Sequence, residues 1–242
     1  MAIYNHYLTF FFFMVLFQFN KNNAFCISLM KSGSGSDSGS DSIKNSRWNR
    51  MENRFRWFGL EIARWIASTP ADLVDEFHWN LNPFQKACSQ SHIHIWRHIV
   101  ITGLPYALII EDDAMFDRNW LNTLTTLDIP VNDGWDAVFL NASEPMDSGF
   151  QWSVCREQFL TGAYILSFRG AQRLLNDFGH CFHAADWMTS RLQNYGCSYS
   201  YFPWLVIQEG RDSTIGSQVD ADHAKVVRCL DEIGYSHLDH YL

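Results

Sequence analysis

The stretch from Tyr106 to Asp113 constrains the fold of this chain more than any other part of the sequence. Five mostly apolar residues, from Tyr106 to Ile110, run without a break and are followed by three adjacent acids, Glu111, Asp112 and Asp113. Such a short apolar run predicts a strand buried on both faces, in the interior of an α/β sheet. Open α/β sheets bind ligands at the carboxyl ends of their strands, which is where the acids would lie.

The three acids also predict a metal ion. Adjacent carboxylates repel one another, so they favour a bound cation, and their hard oxygen atoms suit Mn²⁺ or Mg²⁺. In an extended chain, Glu111 and Asp113 would share one face and Asp112 would take the other. We therefore predict a metal-bound nucleotide at the end of this strand. The alternative is that surface acids simply follow a core strand.

Composition limits the classes of protein to which the chain can belong. Its 242 residues can form one sizeable core, and 47% of them are apolar. A net charge of −8 argues against a nucleic-acid binder. The wide spacing of the six cysteines is unlike that of a structural zinc site or a dense disulfide framework. Free thiols, or one or two disulfides, both fit this spacing.

The first 23 residues form a hydrophobic N-terminal segment. Residues 7–19 are mostly apolar but too few for an ordinary membrane-spanning helix. They match the hydrophobic part of a secretory signal, although the start lacks Lys and Arg. As a signal or anchor, the segment would place the protein in the lumen of the secretory pathway and allow membrane association. If it is instead a hydrophobic strand, or a leftover from the choice of gene boundary, the protein would be cytoplasmic.

The remainder, residues 24–242, alternates strands with helices. Strands are predicted at 24–29, 62–67, 106–110, 135–140, 159–167 and 199–206, and helices at 47–57, 86–101, 120–127, 169–178, 184–195 and 220–233. This order predicts a single α/β domain with a mostly parallel central sheet flanked by helices. The Ser/Gly/Asp run at 32–42 predicts a flexible loop.

Three histidines lie on the predicted helix 86–101. His94 and His98 are four residues apart, which is a metal-ligand spacing that surface histidines also often have. His92 lies on the apolar stripe with Trp96. This position predicts either a contact with a loop or a nucleotide, or a core histidine with a hydrogen-bond partner.

Several motifs, taken in order, resemble glycosyltransferase family 25, which includes lipooligosaccharide and procollagen galactosyltransferases. The resemblance covers residues 24–217. It rests on FCISL with the later Arg47-x-x-Arg50-Met51, on Ala87-Cys88-x-x-Ser91-His92-x-x-x-Trp96, on PYALIIEDDAMF, on LTGAYILSFRGAQRLL and on Ala185-Asp186-Trp187. Their order and spacing, rather than any one motif, make the match specific.

The resemblance implies a GT-A type, Rossmann-like fold and a metal-dependent, inverting transfer of galactose or glucose. The donor would be a UDP-sugar, the acceptor a hydroxyl on a glycan or protein, and Mn²⁺ (or Mg²⁺) would bind Glu111, Asp112 and Asp113. Asp186 would be the catalytic base, or alternatively an acid that complements a helix N-terminus. The residues expected at the donor are Ser91, His92, Thr161, Gly162, Arg47 and Arg50.

The chain departs from the family pattern near the expected nucleotide pocket. Ser28 stands where Asn is usual, and Phe84 and Ala87 stand where glycine is favoured. These departures keep a second function open, namely a catalytically inactive GT-A-like domain that acts as a binding or interaction module. A third alternative is a metal-dependent phosphohydrolase that uses the same acids.

Overall fold

A computed structural model describes residues 26–29, 38–60, 62–127, 134–141, 143–144, 149–209 and 218–242. The strands are β1 (Cys26–Leu29), β2 (Ala63–Trp65), β3 (Tyr106–Glu111), β4 (Ala114–Phe116), β5 (Ala137–Phe139), β6 (Gln151–Val154), β7 (Ala163–Ser167), β8 (Ser198–Phe202) and β9 (Val206–Gln208). The α-helices are α1 (Ser38–Trp57), α2 (Pro83–Thr102), α3 (Trp120–Leu124), α4 (Phe168–Phe178), α5 (Ala185–Leu192), α6 (Gln218–Glu232) and α7 (His237–His240), and the 3₁₀ turns are Pro70–Asp72 and Gln193–Tyr195.

The α/β class is confirmed, and the main sheet is mixed. Seven strands follow the order β2-β1-β3-β7-β5-β8-β6, with β4 and β9 in a separate pair. Pairs β1–β2, β1–β3 and β5–β8 are parallel, whereas β3–β7, β5–β7 and β6–β8 are antiparallel. The prediction of a mostly parallel sheet is therefore not confirmed. A parallel pair of strands needs a crossover connection, which is usually a helix. The described residues between β5 and β7 contain β6 and no helix, in agreement with the antiparallel pairing of β5 with β7.

Strand β3 is an interior strand, as its apolar run predicts. It pairs with β1 on one side and β7 on the other. Its side chains alternate between two cores. Ile109 packs in the core that contains Trp96 of α2 and Met188 of α5, and Ile110 packs in the core that contains Phe55 of α1. This alternation determines which helices the acids that follow will meet.

Helix α2 begins three residues before its predicted start. The Asn82 side chain accepts hydrogen bonds from the backbone amides of Phe84 and Gln85, and the Gln85 side chain accepts one from the backbone amide of Asn82. This capping box and Pro83 in the first turn initiate the helix. The helix ends at Gly103, whose φ of 67° suits glycine.

Other boundaries also differ from the prediction. Helix α1 begins at Ser38, so residues 38–42, predicted as loop, are helical, and residues 32–37 lie outside the described residues. The predicted strand at 159–167 begins only at Ala163, and the one at 199–206 is two strands, β8 and β9. Residues 1–23 lie outside the described residues as well. Within the described ranges, no helix combines the length and the apolar character needed to cross a bilayer.

Candidate active site at the end of β3

The three acids lie in the protein interior. Glu111, Asp112 and Asp113 are 4%, 1% and 3% exposed. Continuing the alternation of β3, Glu111 lies on the side of α2 and Asp112 on the side of α1. The strand ends at Glu111, and residues 112–113 form a turn before β4. The chain is therefore no longer a regular strand at Asp113. The prediction that Glu111 and Asp113 lie on one face of an extended chain does not apply, because it assumed strand geometry at both residues.

Glu111 is held by groups from three parts of the chain. Its Oε1 accepts a hydrogen bond from the Thr161 hydroxyl over 3.1 Å, and its Oε2 accepts one from the Gln208 side-chain amide over 3.1 Å. Nε2 of His92 lies 3.6 Å from Oε1. The structure thus brings together Glu111, His92 and Thr161, three of the residues predicted for the site, and adds Gln208.

His92 belongs to a buried aromatic network. Its Nδ1 lies 2.9 Å from the Tyr164 hydroxyl, to which Trp96 Nε1 also donates over 2.9 Å. All three side chains are fully buried. Burial raises the pKa of Tyr164 well above its ordinary value, so the phenol stays protonated. The Nδ1 atom of His92 therefore has the hydrogen-bond partner expected of a core histidine, whereas its Nε2 atom faces Glu111.

Gly162 allows two chain segments to approach each other closely. Its carbonyl accepts a hydrogen bond from the Glu111 amide over 2.8 Å. A Cβ atom at this position would lie 2.8 Å from Asn141 Nδ2 and 3.0 Å from Gln208 Cγ. The packing of these two side chains accounts for the glycine without a ligand.

Three arginines of α1 meet acids from the opposite side of the sheet. Arg47 Nη1 donates to Asp112 Oδ1 over 3.4 Å. Arg50 and Arg54 donate to the Glu209 carboxylate over 3.2 and 2.9 Å. Burial raises the pKa of Glu209, but the charges of Arg54 and Arg50 outweigh it and lower the pKa overall. The contact of Arg47 or Arg50 with donor phosphates stays a prediction.

Ser91 has a local role in the packing of α2. Its hydroxyl accepts a hydrogen bond from the Ser68 amide over 2.9 Å and donates to the Ala87 carbonyl over 2.9 Å. These bonds attach α2 to the segment that precedes the first 3₁₀ turn. The Ser91 hydroxyl, which was predicted to contact the donor, thus uses its proton and one lone pair in hydrogen bonds to the backbone.

Asp186 lies in the first turn of α5, near Glu111 and His92. Burial is the main cause that raises its pKa; the Glu111 charge adds to the rise, while the Trp187 amide, His92 and His183 oppose it. The α5 start is attached to α2 because the Ala185 amide donates to Ser89 Oγ over 3.0 Å. A raised pKa suits a carboxylate that must accept a proton.

The acidic residues fit a hard divalent cation by ligand type. Hydrogen bonds from Thr161 and Gln208 orient the Glu111 carboxylate, and carboxylate oxygens are ligands that such an ion prefers. Asp112 already contacts Arg47, so it is partly neutralised within the protein. Buried carboxylates that adjoin one another favour added positive charge, which Mn²⁺ or Mg²⁺ would supply.

Sequence reasoning missed Arg54, Gln208 and Glu209 at this site. The signal for Arg54 was present, because positions 47, 50 and 54 recur on one side of a helix. Gln208 is the last residue of β9 and Glu209 follows it, just as Glu111 is the last residue of β3 and Asp112 follows it.

Comparisons with known proteins support the same family as the motifs. Residues 75–154 match the family model described as "Glycosyltransferase family 25 (LPS biosynthesis protein)". A "Glycosyltransferase 25 family member" of Aedes aegypti is 24% identical over 157 residues, which are 54% of this chain and 26% of that protein. "Procollagen galactosyltransferase 1" of Danio rerio is 32% identical over 113 residues, which are 42% of this chain and 19% of that protein.

A third relative differs in its described activity. The "Probable inactive glycosyltransferase 25 family member 3" of Bos taurus is 32% identical over 101 residues, which are 38% of this chain and 17% of that protein. The matches to these three relatives span 17% to 26% of their lengths. The matched family segment holds α2, β3 and the three acids. The resemblance is thus confirmed, and through residues 75–154 this chain is related to glycosyltransferase family 25.

Proposed function

We propose that this protein is a metal-dependent, inverting glycosyltransferase. It would transfer galactose or glucose from a UDP-sugar to a hydroxyl on a glycan or protein. The observation that carries the proposal is the burial of three adjacent acids at the carboxyl end of β3, where Glu111 lies 3.6 Å from His92 and its charge helps to raise the pKa of Asp186. The relation to family 25 supports this assignment, because galactosyltransferases are among the matched relatives.

We further propose that the domain is of the GT-A type. An interior strand that ends in acids, between helices on both faces of a sheet, supports this fold. Ligands bind at this edge of an α/β sheet. The acids that would hold Mn²⁺ or Mg²⁺ are Glu111, Asp112 and Asp113. When bound, the ion would neutralise the negative charge that develops on the departing diphosphate.

In the proposed reaction, Asp186 acts as the base. Its carboxylate removes the proton from the acceptor hydroxyl as the acceptor oxygen attacks the anomeric carbon of the donor. The new glycosidic bond forms while the bond from that carbon to the phosphate oxygen breaks, and UDP leaves. Attack on the face opposite the leaving group inverts the anomeric configuration. The raised pKa of Asp186 makes it a stronger base than an exposed aspartate.

Donor binding is assigned to residues around the acids. Arg50 keeps 40% of its side chain exposed, so its guanidinium can turn from Glu209 to a phosphate. Arg47 is 4% exposed, and its positive charge compensates the negative charge of the buried Asp112. Thr161 and His92 position Glu111 rather than presenting their polar atoms to solvent.

The experiment that tests the proposal needs no known acceptor. The full chain is incubated with Mn²⁺ and either UDP-galactose or UDP-glucose, and the release of UDP is measured with and without simple sugar acceptors. We expect UDP release that requires the metal and is lost in Asp113→Asn. Asp231→Asn, an exposed acid on α6, is the matched control and should retain the rate. Metal-independent release, or an unchanged rate in Asp113→Asn, would overturn the proposal.

A second function is supported by the burial of the acids. All three are less than 5% exposed, Arg47 donates to Asp112, and Thr161 and Gln208 donate to Glu111, as they would in a domain that has kept the fold without the chemistry. A relative described as probably inactive is consistent with this alternative. UDP-sugar binding, measured by calorimetry, without any UDP release would favour a catalytically inactive GT-A-like binding module.

A further inference from the structure

We infer a zinc site formed by Cys88, His92 and Glu111, which shares Glu111 with the acidic motif and takes its other two ligands from α2. Each residue offers one ligand atom, and the three atoms lie within 4.8 Å of one another. This is the one such group of three found among the described residues. The inference concerns bound metal and does not depend on the proposed transferase activity.

Helix geometry places two of the ligands. Cys88 and His92 are four residues apart on α2, so their side chains lie one above the other on a single face of the helix. The same spacing on a helix serves paired metal ligands in other proteins. Glu111, the last residue of β3, faces this side of the helix from the sheet.

The distances suit a tetrahedral ion. Bonds of about 2.0 Å to nitrogen and oxygen put two ligands of a tetrahedral zinc about 3.3 Å apart. His92 Nε2 and Glu111 Oε1 are 3.6 Å apart, which is longer than a hydrogen bond and close to this ligand spacing. The Cys88 sulfur lies within 4.8 Å of both of these atoms.

His92 is poised as a ligand. Its side chain is fully buried, and Nε2 has no hydrogen-bond partner within the described part of the chain. Nδ1 contacts the Tyr164 hydroxyl over 2.9 Å, and Trp96 holds that hydroxyl in place. A partner on the second ring nitrogen is how metal-bound histidines are usually oriented. It would leave the Nε2 lone pair directed at Glu111 and Cys88.

The ligand types select the metal. Thiolate, imidazole and carboxylate all bind Zn²⁺, whereas a thiolate is a poor ligand for Mg²⁺ and Mn²⁺. We therefore assign Zn²⁺, with three protein ligands and a fourth position for water or another ligand. Cysteine spacing alone does not reveal this site, because the other two ligands are a histidine and a glutamate from a different element.

Cobalt substitution tests the site directly. The full chain is stripped with a chelator, dialysed and titrated with Co²⁺, and then with Zn²⁺ in competition. We expect one equivalent of Co²⁺ with tetrahedral visible bands and a near-ultraviolet thiolate charge-transfer band, both displaced by Zn²⁺. Cys88→Ser should abolish the charge-transfer band, whereas Cys229→Ser, a cysteine on α6, should retain it. Absence of tetrahedral Co²⁺ bands, or a charge-transfer band that survives in Cys88→Ser, would overturn the inference.

Two further variants separate this inference from the proposed function. Tyr164→Phe removes the group that orients His92 and should weaken Zn²⁺ binding by roughly 10- to 100-fold. Asp113→Asn lies outside the cluster and should bind Zn²⁺ like the wild type. Turnover of UDP-sugar without zinc binding would overturn this inference alone. Zinc binding without turnover would support it and count against the transferase alone.

Discussion

Arg54 Nη2 donates a hydrogen bond to Glu209 Oε1 over 2.9 Å. The Nη1 atom of the same guanidinium donates to the Ala114 carbonyl over 2.8 Å. One side chain of α1 thus contacts both the residue after β9 and the first residue of β4. Ala114 directly follows the acidic motif, and the Glu209 backbone amide donates to the Asp113 carbonyl over 2.7 Å, so the position of α1 and that of the acids depend on each other.

Replacement of Glu209 should therefore lower stability. Glu209→Gln leaves the partly buried Arg54 with a neutral acceptor, and we expect a loss of about 2 kcal/mol in the free energy of unfolding. The folded pKa of Glu209 is lowered, so its contribution is present above the ordinary value of 4.5 and is lost as pH falls through the folded pKa. Urea unfolding at pH 7 and at pH 3 should show the difference between the two proteins shrinking at the lower pH. Glu232→Gln, exposed on α6, should change the free energy of unfolding by less than about 0.5 kcal/mol.

Asp186→Asn should separate activity from stability. Loss of the base should lower UDP-sugar turnover by roughly 10²- to 10⁴-fold. In the wild type, the raised pKa of Asp186 means that stability present at low pH is lost as pH rises through the folded pKa. At pH 7 the neutral Asn avoids this loss, so the thermal midpoint should be equal to or higher than that of the wild type. Turnover in the wild type should fall on the acid side at a pH above 3.8, the ordinary value for an aspartate.

The matched control for this prediction is Asp231→Asn, which removes an exposed carboxylate from α6. It should leave both turnover and the thermal midpoint unchanged. If Asp186→Asn turned over UDP-sugar at the wild-type rate, Asp186 would be excluded as the base. A large drop in the thermal midpoint of this variant would show that the Asp186 carboxylate stabilises the fold instead.

Tyr164→Phe should destabilise the protein by about 2 kcal/mol. The hydroxyl binds Trp96 Nε1 and His92 Nδ1, and its removal leaves both buried nitrogens without that partner. Tyr195→Phe removes a half-exposed hydroxyl that contacts Asp177, and it should cost less than about 0.5 kcal/mol. Chemical denaturation of the two variants provides the comparison. Equal losses would mean that the buried network contributes no more than a surface contact.

Gly170→Ala should be more destabilising than Gly162→Ala. A Cβ at Gly170 would lie 2.3 Å from the backbone carbonyl oxygen of Asp136, which cannot move without displacing β5. We expect a loss of about 2 kcal/mol from this overpacking, measured by urea unfolding. At Gly162 the nearest atoms belong to the side chains of Asn141 and Gln208, which can move. If Gly162→Ala were the more destabilising of the two, the contact between α4 and β5 would be looser than described.

Strand β3 and its acids could be predicted because their signal is local. An unbroken apolar run indicates a strand with two buried faces, and alternation then places Glu111 and Asp112 on opposite sides of the sheet. Helix α2 was predicted from its apolar stripe, but not its true start, because the Asn82 capping box was not recognised. Features within one element are therefore the ones that sequence reasoning recovers here.

The features that were missed depend on contacts between distant elements. Whether β7 pairs antiparallel with β3 depends on how the chain returns through residues 140–162, and no residue pattern in β7 itself indicates a direction. Strands β4 and β6 are three and four residues long, too short for a clear period. The approach of Cys88 to Glu111 arises only when α2 packs on the sheet.

The Glu111 carboxylate contacts Thr161, Gln208 and His92, which come from three separate parts of the chain. Contacts that share one carboxylate are not independent, so the effects of substitutions at these positions should not add. In a double-mutant cycle, Thr161→Val and Gln208→Leu together should cost less, or more, than the sum of the two alone. Which residue is tolerated at one of these three positions would then depend on the residues at the other two. The three positions should therefore vary together among related proteins.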